Sequence, residues 1–117
     1  MSTILYGIPN CNTVKKAQDW LKEKGVDYQF HNFKKDGLSA EKLEQWLEQV
    51  PQEKLINKAG MTFRKLSDDE KQEANSAAGA KALMLEKTSV IKRPIVEIDG
   101  EVKTLGFKEE DYSAIFD

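Results

Sequence analysis

Cysteine, histidine and arginine are scarce in this chain: its 117 residues include one cysteine, Cys11, one histidine, His31, and two arginines, Arg64 and Arg93. A single thiol excludes an internal disulfide. Cys11 and His31 together are too few soft ligands for a structural zinc site. No apolar run reaches the roughly eighteen residues that a membrane-spanning helix needs. The formal net charge of -2 argues against a broad nucleic-acid-binding face. Neither an internal repeat nor a low-complexity linker interrupts the pattern. Residues 1–5 lead directly into a strand-like segment, without the basic region and apolar stretch of a secretory signal. The expectation is a cytoplasmic protein, most simply a monomer, in which Cys11 is a free thiol.

A chain of this length with 39% hydrophobic and 32% charged residues can bury one ordinary core, so one domain is expected. Its first segment is the informative one. Thr3 to Tyr6 has strand composition, Gly7, Pro9, Asn10 and Asn12 are turn residues, and Val14, Ala17, Trp20 and Leu21 recur on one helical face. A strand, a tight loop and a helix start therefore bracket Cys11. The free N–H groups and the dipole of a helix's first turn stabilise a negative charge beside them. A thiol placed there should ionise below its usual pKa of about 8.5 and act as a nucleophile.

Gly25 should end the first helix. Val26, Tyr28 and Phe30 alternate with Asp27, Gln29 and His31 as a second, parallel strand, which completes a βαβ unit. After the turn at Lys34 to Gly37, Ser39 can cap a helix whose apolar face is Leu43, Trp46, Leu47 and Val50. Pro51 begins a short helical turn through Ile56, and residues 57–65 read as loop. Ser67 and Glu70 match a capping box. The Ala-rich stretch from Ala77 to Lys87 reads as a separate helix with Ala82 and Leu85 inward. Ile95 to Ile98 and Glu101 to Leu105 form a hairpin about Asp99-Gly100. Glu109, Glu110 and Asp111 open a final short helix that carries Tyr112, Ile115 and Phe116. The order is β-α-β, a helical stretch over roughly 39–87, then β-β-α. That order predicts an α/β, thioredoxin-like mixed four-stranded sheet with an all-helical insertion.

Three segments, LYGIPNCNTVKKAQDWL around Cys11, LINKAGMTFRKL around Arg64 and IKRPIVEIDGE around Arg93 and Pro94, resemble the arsenate-reductase-like family of thioredoxin-fold proteins. The resemblance extends over nearly the whole chain and is greatest to the YffB-type branch of glutathione-dependent thiol reductases. It implies a catalytic cysteine at Cys11, anion-binding arginines at Arg64 and Arg93, and a cis peptide bond before Pro94. It also implies glutathione as co-substrate, with no bound cofactor or metal. Where arsenate reductases of the family usually carry a third arginine, a His, a Ser and an Arg, this chain has Phe107, Gly7, Val14 and Lys15. Arsenate reduction is thus the alternative within the family. The related Spx regulators, which bind RNA polymerase, are an alternative of another class, but their Cys-x-x-Cys is replaced here by Cys11 and Val14. The expected contacts to glutathione or an anion are Asn12, Thr13, Lys15, Arg64, Arg93 and Pro94, and the expected partners are glutathione and a small-molecule or protein disulfide. Lys34-Lys35 should be solvated, Trp20 and Trp46 should lie in the core, and His31 has no assigned role.

Overall fold

A computed structural model describes residues 2–116, which fall into two compact units, residues 2–36 with 93–116, and residues 37–92. The helical stretch expected over 39–87 falls inside the second unit.

In the first unit, strand β1 (Thr3–Gly7) leads through the Cys11 loop into helix α1 (Asn12–Glu23) and back to strand β2 (Gln29–Asn32). β1 pairs with β2 in parallel, Leu5 opposite Phe30 and Gly7 opposite Asn32. β2 is shorter than the alternation from Val26 suggests, because Val26 belongs to the end of α1. Its N–H donates to the Leu21 carbonyl at 2.9 Å and that of Gly25 donates to Lys22 at 3.1 Å, while Gly25 adopts φ +69°. This is a Schellman closure, and it holds the residue after the glycine out of the strand. The turn expected at Lys34 to Gly37 falls largely within the one-turn helix α2 (Phe33–Asp36).

The second unit is helical, with α3 (Ala40–Gln49), α4 (Gln52–Leu55), α5 (Met61–Arg64), α6 (Asp68–Glu73), α7 (Ala77–Glu86) and a 3-10 turn over Thr88–Val90. Its local signals are strong. The Ser39 side chain accepts from the Lys42 N–H at 3.1 Å, Ser76 caps α7, and Ser67 and Glu70 form both bonds of the capping box. Two expectations need correction. α5 lies within residues read as loop, since a turn of four residues leaves no periodic signature. In α7, Ala80, Leu83 and Met84 are buried, whereas Ala82 is exposed and Leu85 half-buried. That run is apolar on nearly every side, so periodicity cannot select its inward face. Leu43 and Trp46 are fully buried on α3, with Leu47 and Val50 at the margin.

The chain returns to the first unit at Arg93, and the hairpin follows as strands β3 (Ile95–Ile98) and β4 (Glu101–Leu105) before helix α8 (Glu109–Phe116). Asp99 and Gly100 have φ +50° and +86°, as a two-residue hairpin with both central residues left-handed requires. The sheet order is β2-β1-β3-β4, with β3 antiparallel to both neighbours. Leu5, Val96 and Ile98 pack against Ala17, Trp20 and Leu21 of α1 and Tyr112 of α8. Each fully buried large side chain of this cluster contributes roughly 1.5–3 kcal/mol by leaving water, so α1 is pinned to the sheet just beyond the Cys11 loop. The Tyr6 hydroxyl donates to buried Glu97 at 3.1 Å. Among the described residues, no helix is long and apolar enough to cross a membrane.

Candidate active site

Cys11 is the N-cap of α1, extended at φ −123° and ψ 122°, and its carbonyl accepts the first helical bond from the Lys15 N–H at 2.9 Å. An N-cap side chain faces the amides two and three residues on. At α1 these belong to Thr13 and Val14, and both pull the thiol toward ionisation. The sulfur makes no cap hydrogen bond of ordinary strength. The two amides act on it chiefly as oriented dipoles, an interaction that strengthens when the proton leaves.

Partial burial pushes the Cys11 thiol up and is the largest single influence on it. It is outweighed by the Val14 amide, a hydrogen bond from the Arg93 side chain, the Thr13 amide and the charge of Arg93. The net result is a thiol held below its ordinary value. Arg93 reaches the sulfur from the other end of the sequence because β3 lies beside β1, with Tyr6 opposite Ile95. It is half-buried. The Arg93–Pro94 peptide bond is cis. Pro94 is buried, and its carbonyl accepts from the Gly106 N–H at 2.8 Å.

The structure thus joins three of the residues expected at the site, Cys11, Thr13 and Arg93. Asn12 and Lys15 are exposed on the first turn of α1. Arg64 belongs to the second unit, where it is exposed at the end of α5. Val14 is the contributor that the sequence reading assigned only to the core. Its position three residues after a capping cysteine is the signal that identifies it, since that amide faces the cap.

A small domain with a mixed four-stranded sheet and a thiol at the start of its first helix is of thioredoxin-like design, and the comparisons place it within that class. The chain belongs to the ArsC family, whose model matches residues 6–115. Among solved structures it resembles the YffB protein, with TM-score 0.90 and 41% identity over 99% of this chain and 100% of the other. It also resembles an arsenate reductase (ArsC) related protein from Brucella melitensis, with TM-score 0.79 and 50% identity over 99% and 95%. An uncharacterized protein of Haemophilus influenzae is 37% identical over 96% of both chains. The global transcriptional regulator Spx of Streptococcus pyogenes is 31% identical over 94% of this chain and 81% of its own.

Proposed function

We propose that the protein is a glutathione-dependent thiol-disulfide oxidoreductase with Cys11 as its single nucleophile. The observation that carries this reading is the convergence of the Thr13 and Val14 amides and the Arg93 guanidinium on one sulfur, which lowers its pKa. In the first step the Cys11 thiolate attacks the glutathione sulfur of a mixed disulfide. A new S–S bond forms to Cys11, the old one breaks, and the substrate sulfur leaves with the electron pair and takes a proton. In the second step the thiolate of free glutathione attacks the glutathione sulfur on Cys11. Glutathione disulfide leaves and the Cys11 thiolate, stabilised by the same groups, is the leaving group. The net reaction is a thiol–disulfide exchange: the substrate sulfur is released as a thiol, one free glutathione is consumed, and its sulfur leaves joined to the glutathionyl group that came from the substrate.

An external thiol must resolve the adduct because Cys11 is the only cysteine. In this reading Arg93 steadies the developing thiolate and, with Asn12, Thr13, Lys15 and Pro94, contacts glutathione. Arg64 enters through its motif alone, as a holder of a carboxylate. The test is turnover of a small glutathione mixed disulfide, followed as glutathione disulfide released, with Cys11→Ser as control. Turnover that Cys11→Ser abolishes supports the reading; turnover of arsenate and not of the disulfide replaces it with arsenate reduction.

The Spx relatives favour a second reading, a non-catalytic regulator. Retention of RNA polymerase by the immobilised protein, with neither substrate turned over, would establish it.

A further inference from the structure

Beside the Cys11 loop, Thr13, Lys16, Asp19, Trp20 and Glu23 of α1 border a groove of about 520 Å³ that Phe107 and Glu109 close from the other side. All of these residues belong to the first unit. The groove begins at the site, because Thr13 both lines it and turns its amide toward the Cys11 sulfur. It follows α1 from Thr13 to Glu23, a rise of about 15 Å at 1.5 Å per residue. An extended peptide covers that distance in four or five residues.

Its chemistry changes along its length. Lys16 stands one turn from Thr13, whereas Asp19 and Glu23 follow farther along α1, and Glu109 adds a third carboxylate. All four charged side chains are exposed. Between them lie Trp20 and half-buried Phe107, the latter set edge-on against Tyr112 at 4.8 Å. The Trp20 indole already has the Lys24 ammonium 5.6 Å from its centroid, so an alkylammonium is compatible with this surface. Half-buried Phe107 and the largely buried Trp20, with three carboxylates against the Lys16 ammonium and the Lys24 ammonium over Trp20, leave a net negative groove that complements an extended segment whose basic side chain is remote from the thiol.

We propose that this groove seats a cationic stretch of a protein substrate, with a Lys or Arg four or five residues from the glutathione-bearing cysteine. The inference rests on the reductase reading and specifies its substrate class. The basic, site-proximal end faces the glutathione side of the disulfide, and the acidic end reads the polypeptide. The groove makes no covalent bond; it raises the local concentration of one kind of disulfide at Cys11.

The experiment titrates the Cys11→Ser protein with fluorescent, S-glutathionylated hexapeptides and reads the Kd by anisotropy. The peptides carry Lys at the fourth residue from the cysteine, Glu at that residue, or Lys next to the cysteine. The remote-Lys peptide should bind about tenfold more tightly than the remote-Glu peptide in low salt, a ratio within reach of a few exposed charge contacts. That ratio should shrink in high salt and fall to within about twofold in Glu23→Gln/Glu109→Gln. Equal affinities, a preference for Lys beside the cysteine, a ratio insensitive to both salt and the double variant, or no binding at all would overturn the proposal. Turnover of a small neutral glutathione mixed disulfide by the native protein separates the two readings. Its absence with the binding preference intact removes the reductase, and its presence without the preference removes only the groove.

Discussion

A β-carbon on Gly7 would lie 2.8 Å from Cγ2 and 3.2 Å from Cγ1 of Val14, so the last residue of β1 touches the first turn of α1 with no space for a side chain. Val14 is fully buried, and its amide acts on the Cys11 sulfur. Gly7 is thereby a positioning residue for the thiol. Gly7→Ala should destabilise the protein by about 1–3 kcal/mol through overpacking and move the midpoint of Cys11 alkylation upward as the Val14 amide is displaced. Thermal unfolding and alkylation against pH check the two effects. The double variant Gly7→Ala/Val14→Ala should lose less stability than the two single losses added together.

Removing Arg93 should weaken the nucleophile. Arg93→Ala takes away a hydrogen bond and a positive charge and leaves the opposing effect of burial, so the thiol pKa rises. At a fixed pH below that pKa, each unit of rise cuts the thiolate fraction about tenfold, while intrinsic nucleophilicity regains about threefold. Alkylation at such a pH should therefore slow about threefold per unit. The same linkage appears in stability. A thiol whose folded pKa is lowered contributes fully above its unfolded value, about 8.5, and the contribution disappears as pH falls through the lowered folded value. The melting temperature of the native protein relative to Cys11→Ser should accordingly climb from acid to alkaline pH; a flat difference would contradict the assignment.

Tyr6 and Glu97 form a polar contact inside the sheet, with Tyr6 4% and Glu97 2% exposed. Burial, followed by the charge of Glu97 and the bond to it, raises the Tyr6 phenol well above its ordinary range, so it remains a donor at physiological pH. Tyr6→Phe should cost about 1–3 kcal/mol by removing a donor from a buried carboxyl group. Tyr28→Phe removes a part-buried bond to Gln18 of similar length, 3.0 Å. It should cost less, about 0.5–1.5 kcal/mol, because the Gln18 amide can turn to water. Denaturant midpoints of the two variants decide.

Gly79 occupies the first turn of α7, where alanine would ordinarily gain about 1 kcal/mol over glycine. A β-carbon there would fall 2.1 Å from the Glu73 carbonyl oxygen and 2.7 Å from the Ser76 hydroxyl that caps the helix. Backbone cannot retreat as a flexible side chain can, so the clash exceeds the propensity gain. Gly79→Ala should be destabilising, whereas the exposed Ala78→Gly should cost no more than about 1 kcal/mol. A stabilised Gly79→Ala would contradict the packing.

The parts of this molecule legible in its sequence are those written in short-range chemistry. Ser39 and the Ser67/Glu70 pair announce helix starts because each cap bonds within three residues. Asp99-Gly100 announces its hairpin because few residue pairs accept two successive positive φ values. Cys11 at the start of α1 is legible for the same reason, since strand, turn and helix signals adjoin it. The end of α1 was legible at Gly25, but not the loss of Val26 from β2, which depends on a bond back into the helix.

By itself, then, the sequence determined the order of the strands and longer helices, several of their caps and turns, and the presence of one thiol at a helix start with no cysteine partner. The tertiary structure alone decided that Arg93 acts on that thiol, that Val14 rather than a charged neighbour supplies the leading amide, and that Gly7 must remain bare to admit it. It also decided which side of α7 turns inward. The physical reason is range: caps and turns close within a few residues, whereas the surroundings of Cys11 exist only after β3 has found its register beside β1.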